Sequence, residues 1–362
     1  MEAAANAVGA IIDSSNEGIE FLFGPVLPKE GLVFAFQVLP VIIFAALTSV
    51  LYHWGILQWV VKLIGGALQF ALRTSKAEPT YAASTIFFGM SEAPLVVKPY
   101  IARATKSELF TMMGTGLATV AGSLLVGYSL LGVRLDYLIA AAFMAGPAGI
   151  VMSKFIVPET AEPETLRASG VDEAGEEGED EVEREEEGES RHLNTIDAIA
   201  SGTLEGLQIA LTVGAMLIAF ISLIALVNLI LGSIGGLFGF EELSLQLVLG
   251  YVFAPVAFVI GVPWSEVLDA GSFIGQKVIL NEFIAYSNFG PRVDEFSEKT
   301  VAIVTFALAG FANFGTIAIL LGGVGGMAPS RRSQIAQFGI RALVAGTLAN
   351  LLNAAIAGML IG

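Results

Sequence analysis

Two glutamates sit in the least polar stretches of this chain, and they sit in matching places. Glu92 lies in Ile86-Phe87-Phe88-Gly89-Met90-Ser91-Glu92-Ala93-Pro94-Leu95, and Glu282 lies in Val278-Ile279-Leu280-Asn281-Glu282-Phe283-Ile284-Ala285-Tyr286. Each is followed 16 residues later by the glutamate of a Ser-Glu pair, Glu108 and Glu298, so both features repeat with an offset of 190 residues. Each pair opens a long uncharged run, containing Gly116-Leu117-Ala118-Thr119 in the first copy and Gly310-Phe311-Ala312-Asn313 in the second. There the offset has grown by about one helical turn. A carboxylate at membrane depth is costly and is usually functional. A duplicated unit that carries one points to a carrier more than to an enzyme, because repeat-built carriers bind substrate near the bilayer midplane where the repeats meet.

The surrounding elements must hold these groups in a membrane. The chain has 362 residues, of which 55% are hydrophobic and only 14% charged, against about a quarter charged in soluble domains. Uncharged runs cover 32–61, 109–133, 206–240, 246–265, 300–330 and 342–362, with a shorter one at 137–153. A spanning helix needs roughly 20 apolar residues. The expected fold is therefore an all-α polytopic membrane protein with about six spans, near 32–55, 108–132, 135–156, 200–232, 300–327 and 336–361. Residues 56–76 read as an amphipathic interfacial helix, with Trp54 just before it and Trp59 within it as interface anchors. Residues 77–104, interrupted by Pro79, Gly89, Pro94 and Pro99, and residues 240–290, interrupted by Pro255, Gly261 and Pro263, suit re-entrant hairpins. Irregular backbone survives at that depth only when it is buried in protein or lines a water-filled cavity.

The predicted organisation follows. Residues 1–31 form an N-terminal extracytoplasmic segment, 32–55 a scaffold span, and 56–76 the interfacial helix. Residues 77–156 form a first transport repeat, 157–196 an acidic disordered cytoplasmic loop, 197–239 a scaffold span, and 240–362 a second transport repeat. The formal net charge of −16 is concentrated in one place, since residues 172–189 hold twelve Asp and Glu against one Arg. That composition cannot bury a core and reads as solvated chain. There is no cysteine, which excludes disulfides and thiolate chemistry, and the two histidines are not in metal-ligand spacing. The first residues lack the basic start of a cleavable signal peptide. If the 32–55 span runs from outside to inside, thirteen Lys and Arg fall on inner segments and five (Lys29, Arg134, Lys277, Arg292 and Lys299) on outer ones. Positive-inside favours that orientation, and an uncrossed 246–265 segment would leave the two repeats inverted.

At this point the residues resemble a known family. The stretch Gly89 to Leu95, the run Asn281-Glu282-Phe283-Ile284-Ala285-Tyr286, the run Ser297-Glu298-Lys299-Thr300, and the run from Gly310 through Phe314-Gly315-Thr316 to Gly323 are similar to the concentrative nucleoside transporters. Phe36-Gln37-Val38-Leu39-Pro40, Gly261-Val262-Pro263-Trp264 and Pro329-Ser330-Arg331-Arg332 add to the likeness, which runs from about residue 6 to the C-terminus. The resemblance implies a homotrimer with inverted repeats. It also implies a mobile transport domain with two re-entrant helical hairpins, which carry Glu92 and Glu282, and two partly unwound helices, which contain Thr119 and Asn313. It further implies about two more spans upstream of the point where this sequence begins.

The resemblance also assigns roles. The ribose-binding carboxylate falls on Glu282, its asparagine on Asn313, a nearby hydroxyl on Thr316 and an aromatic on Phe311. This chemistry is sound, since a diol offers two donors to a carboxylate while an amide supplies one donor and one acceptor. On the base side fall Glu92 and Leu124, with Met90 and Ser91 in the same turn. Met90 stands where the family usually has glutamine and cannot donate an amide hydrogen bond, so base recognition is altered. The sodium ligands of sodium-coupled members, an asparagine and a serine side chain, fall on Thr85 and Thr119, with the Phe88 and Val120 carbonyls beside them. Those oxygens remain hard ligands for a hard cation. With a proton as coupling ion, Glu92 or Glu282 would carry it instead.

The expected function is cation-coupled nucleoside uptake by alternating access, in a multi-pass protein of the cytoplasmic (inner) membrane, with nucleoside and membrane lipid as partners and no nucleic acid. The coupling ion is sodium or a proton, and no other cofactor is implied. The alternatives are an intramembrane enzyme using Glu92 and Glu282 as an acid/base pair, and a passive channel using them as a selectivity region.

Overall fold

The computed structural model describes residues 40–90, 92–163, 193–240 and 242–361. The N-terminal segment, most of the acidic segment and Ser91 lie outside these. Among the described residues every regular element is helical.

Helix α1 (Pro40–His53) and helix α2 (Ile56–Leu72) meet at Gly55 with a bend of 80°. Helix α2 therefore turns away from the direction of α1. Trp54 and Trp59 are both exposed at this corner, and the Trp54 indole donates to Thr195 Oγ1 at 3.3 Å. The first hairpin is built from α3 (Ala77–Ser84), an irregular tip, and the short helices α4 (Ala93–Val96) and α5 (Lys98–Ile101). Its prolines fall at two kinds of place. Pro79 lies in the first turn of α3, and Pro94 and Pro99 open α4 and α5, where a residue without an N–H leaves no helical hydrogen bond unmade.

Next come α6 (Lys106–Ala118) and α7 (Gly122–Leu130), separated by an extended break at Thr119–Ala121, and then α8 (Leu135–Ile156). The N-terminus of α6 is fixed by a capping box, in which Thr105 Oγ1 accepts from Glu108 N and Glu108 accepts from Thr105 N. In the second half the equivalent start is made by Ser297, whose side chain caps Thr300 N. The two Ser-Glu glutamates thus sit at different places in their first turns. Glu298 reaches across to Arg134 at 3.1 Å.

Helix α9 (Thr195–Leu237) is 43 residues long. It is followed by α10 (Leu245–Val259), α11 (Val267–Ile279) and α12 (Glu282–Phe289). Pro255 lies inside α10 without ending it, and the turn after α10 is made by Gly261 at φ 102°, a conformation that glycine adopts without strain. The irregular point of the second hairpin lies further on, at Leu280–Asn281 between α11 and α12. The expected 300–327 span is divided into α13 (Glu298–Leu308) and α14 (Phe314–Met327) by a break at Ala309–Asn313. Helix α15 (Arg332–Ile361) closes the chain. Gly322, Gly323, Gly325 and Gly326 are helical residues of α14.

Lys106–Leu130, Leu135–Ile156, Ile218–Leu237 and Pro329–Ile361 are each long and apolar enough to cross a bilayer. Helices α6, α8, α13 and α15 pack on one another to form the centre. Residues 107–118 of α6 and 300–308 of α13 are buried throughout. The centre therefore holds two interrupted helices, each with a hairpin packed beside it.

Candidate functional site

Glu282 is the first residue of α12, just past the second hairpin's irregular point, and is 6% exposed. Asn281 caps the helix by accepting from Ile284 N at 2.9 Å, which fixes the direction in which the glutamate leaves the backbone. The carboxylate accepts from Tyr128 Oη at 3.2 Å and from Asn313 Nδ2 at 3.3 Å. Asn313 in turn caps α14, its Oδ1 accepting from Thr316 N at 3.0 Å. Glu282, Asn313 and the backbone of Thr316 are therefore brought together across the gap between hairpin and broken helix. Phe311 lies in the same break, and its backbone N–H donates to Thr119 O at 3.2 Å, joining the two breaks directly.

Tyr128 was not foreseen. It follows the first break on α7, stacks on Tyr286 with ring centroids 4.5 Å apart, and meets Phe283 edge-on at 5.5 Å. Tyr286 is locked by donating to Thr305 O at 2.7 Å. This aromatic packing holds a phenol O–H against Glu282. In sequence, Tyr128 shows only as one aromatic in an uncharged helix.

The first half of the site is assembled differently. A Cβ on Gly122, at the start of α7, would lie 3.2 Å from Ile86 O and 3.8 Å from Phe87 Cα. The tip of hairpin one thus presses against the break after α6. Thr85 and Thr119 are both buried, and both donate to their own helices, Thr85 to Ala82 O at 2.8 Å and Thr119 to Thr115 O at 3.1 Å. Each hydroxyl proton is used and the remaining lone pairs stay available. Among the described residues no hydrogen bond uses the Phe88 or Val120 carbonyl. Two hydroxyls and two carbonyls without a carboxylate make a neutral set of hard oxygens. Among the described residues there is no group of three or more His, Cys, Asp or Glu that could hold a metal.

The base-side residues are more dispersed. Met90 is buried in a cluster with Tyr81 and Leu117, on which Phe311 also packs. Leu124 packs against the other cluster, which contains Phe283. Glu92 precedes α4, is exposed in the single chain, and its carboxyl faces that of Glu205 on α9. Glu282 is held instead by Tyr128 and Asn313, so the two glutamates do not meet as an acid/base pair. Ser91 lies outside the described residues.

Interrupted helices, a hairpin beside each, and a polar set split between the breaks define a membrane carrier. Residues 137–358 match the family described as "Na+ dependent nucleoside transporter C-terminus", and residues 35–135 match the one described as "Nucleoside recognition". The chain is 56% identical to "Uncharacterized transporter YutK" of Bacillus subtilis, over 99% of this chain and 85% of that protein. It is 43% identical to "Nucleoside permease NupC" of Helicobacter pylori, over 100% of this chain and 85% of that protein. Among solved structures it is similar to CNTnw in an inward-facing substrate-bound state, with TM-score 0.88, 48% identity, and coverage of 99% of this chain and 84% of that one. A variant of CNTnw in an outward-facing state matches with TM-score 0.89 and 47% identity, over 100% of this chain and 86% of that one. The chain belongs to the sodium-dependent nucleoside transporter family, a family of transporters and not of enzymes.

Proposed function

We propose that this protein takes up nucleosides together with sodium across the cytoplasmic membrane, by alternating access and as a homotrimer. The observation that carries the substrate assignment is the buried Glu282–Asn313 pair. A carboxylate and an amide meet between a hairpin and a helix break, already paired with each other and able to re-pair with a vicinal diol. Thr316 adds a hydroxyl one turn into α14, and Phe311 supplies an aromatic beside the amide. Thr85, Thr119 and the carbonyls of Phe88 and Val120 would hold the sodium. Its charge is attracted by the C-terminal end of α6, where backbone carbonyls carry partial negative charge. The Thr119 O to Phe311 N hydrogen bond makes the two subsites mechanically contiguous. The trimer reading rests on the likeness to the family, since the exposed Leu204, Leu211, Ile218, Leu226 and Leu229 of α9 are also what a lipid-facing helix presents.

The test is uptake of radiolabelled uridine and adenosine into proteoliposomes, with inward sodium and proton gradients imposed separately. Saturable, sodium-driven accumulation of unmodified nucleoside is expected. Uptake that ignores sodium at fixed pH and follows an inward proton gradient would overturn the sodium assignment. Failure to accumulate either nucleoside under any gradient would overturn the substrate reading.

A further inference from the structure

Lys277 counts as an outward-facing cation in the sequence, yet in the structure it is 1% exposed on α11, one turn before the second hairpin's irregular point. Its ammonium donates to Asn350 Oδ1 on α15 at 2.8 Å. The amide nitrogen of Asn350 then donates twice, to Ala118 O at 2.7 Å and to Ala309 O at 3.0 Å. Ala118 is the last residue of α6 and Ala309 is the C-cap of α13. One side chain therefore ties together the ends of both interrupted helices immediately before they break. The fit is close. A Cβ on Gly310 would lie 2.3 Å from Asn350 Oδ1, and one on Gly346, a turn earlier on α15, would lie 2.8 Å from Leu117 Cβ. Only glycine lets the amide reach both carbonyls.

The charge arrangement gives the lysine its place. Two helix C-termini converge on this point, and their partial negative charges favour a cation. The Glu282 carboxylate attracts the same ammonium across the hairpin tip. A buried ammonium without such partners would be prohibitively costly. With them it becomes a resident cation of the second half, linked through Asn350 to the backbone that precedes Thr119 in the first.

We propose that Lys277 is a positioning residue which, acting through Asn350, couples the cation subsite at the first break to the nucleoside subsite at the second. The coupling rests on the reading of these two subsites given above. When the α6 end shifts on cation binding, the shared amide moves the α13 end with it, and the ammonium carries that shift to the hairpin that bears Glu282. Without Lys277, Asn350 keeps its two carbonyls but loses its tie to α11, and the two subsites bind more independently.

The experiment measures uridine affinity of the purified full-length protein in detergent by isothermal titration, without sodium and at saturating sodium. The ratio of the two constants is the coupling factor, and it divides out any change common to both conditions. The parent, Lys277→Met, Lys277→Gln and Lys277→Arg are compared. Lys277→Met is expected to lower the factor at least about fivefold, since ordinary coupling between sites runs from about five- to 150-fold. Lys277→Gln, which keeps a donor for Asn350 without the charge, is expected to fall in between, and Lys277→Arg to retain most of the coupling. An unchanged factor in Lys277→Met, with uridine affinity reduced equally in both conditions, would overturn the proposal and leave Lys277 a packing residue. If Lys277→Met does not fold, an unchanged factor in Lys277→Gln does the same. A parent whose uridine affinity ignores sodium would overturn the underlying sodium reading, and this coupling would fall with it.

Discussion

The break after α6 and the break after α13 have the same architecture and opposite chemistry. Each ends a buried helix with a carbonyl held by Asn350, and each lies beside a hairpin. At the first, the polar groups are hydroxyls and carbonyls, neutral throughout. At the second, an amide faces a carboxylate. The cap roles differ too. Thr119 closes the helix before its break, whereas Asn313 opens the helix after its break. A duplicated scaffold has thus supplied two equivalent backbone gaps that differ in the side chains placed in them, and under the proposed function the first takes the cation and the second the polyol.

The sharpest way to break this comparison is to remove the charge from the second gap. Glu282→Gln is expected to weaken uridine binding by about 1.5–3 kcal/mol, or roughly 10- to 150-fold. A 2′,3′-dideoxynucleoside should bind the parent poorly and be less affected by the mutation. Equal uridine affinity in mutant and parent, measured by titration, would show that the ribose is read elsewhere.

Asn313→Thr makes the second gap resemble the first. Threonine still caps α14, so the helix should persist, but the donor to Glu282 is lost. Uridine affinity is expected to fall about tenfold while the thermal midpoint moves little, consistent with one charge-assisted hydrogen bond. A large loss of stability would assign Asn313 to structure and not to substrate.

Thr119→Val acts on the first gap alone. It keeps the side-chain volume and removes one oxygen. The sodium concentration giving half-maximal uptake should rise about fivefold, with uridine affinity at saturating sodium unchanged, the size expected for one modest polar contact. A drop in nucleoside affinity with the sodium response intact would reverse the assignment of the two gaps.

The smallest effect concerns the base. Met90→Gln restores an amide and should change the purine-to-pyrimidine affinity ratio by about threefold, leaving the penalty for removing ribose hydroxyls as it was. A uniform loss for all nucleosides would make Met90 a core residue, as its burial with Tyr81 and Leu117 also allows.

The sequence made Glu282 and Asn313 visible because polar residues stand out within uncharged runs and because the runs repeat. The helical, membrane-embedded character was legible for the same reason. Tyr128 and Asn350 were not, since an aromatic or an amide in such a run reads equally well as packing or as glue between helices. Their roles depend on contacts with residues 154 and 232 positions away, and nothing local encodes those. Lys277 was misread because a charge count assumes that basic residues lie outside the protein interior. Of the hairpin prolines, Pro79 and Pro255 lie inside helices, whereas Pro94, Pro99 and Pro263 stand where one helix has ended and the next begins, because a proline's effect depends on its place in the turn.

Helix α9 carries a consequence of another kind. Its 43 residues would stretch about 65 Å at helical rise, roughly twice the hydrocarbon thickness of a bilayer. Gly202 and Gly206 sit so close to α1 that a Cβ on either would lie 2.6–2.7 Å from its backbone, so the rod is fastened near one end while its apolar stretch faces outward. The stretch of it long and apolar enough to cross a membrane is Ile218–Leu237, 20 residues, which matches one hydrocarbon thickness, so the remainder of the rod inclines within the membrane or projects beyond its apolar core. Acyl-chain length therefore bears on the tilt of this helix through its 20-residue apolar stretch and not through all 43 residues.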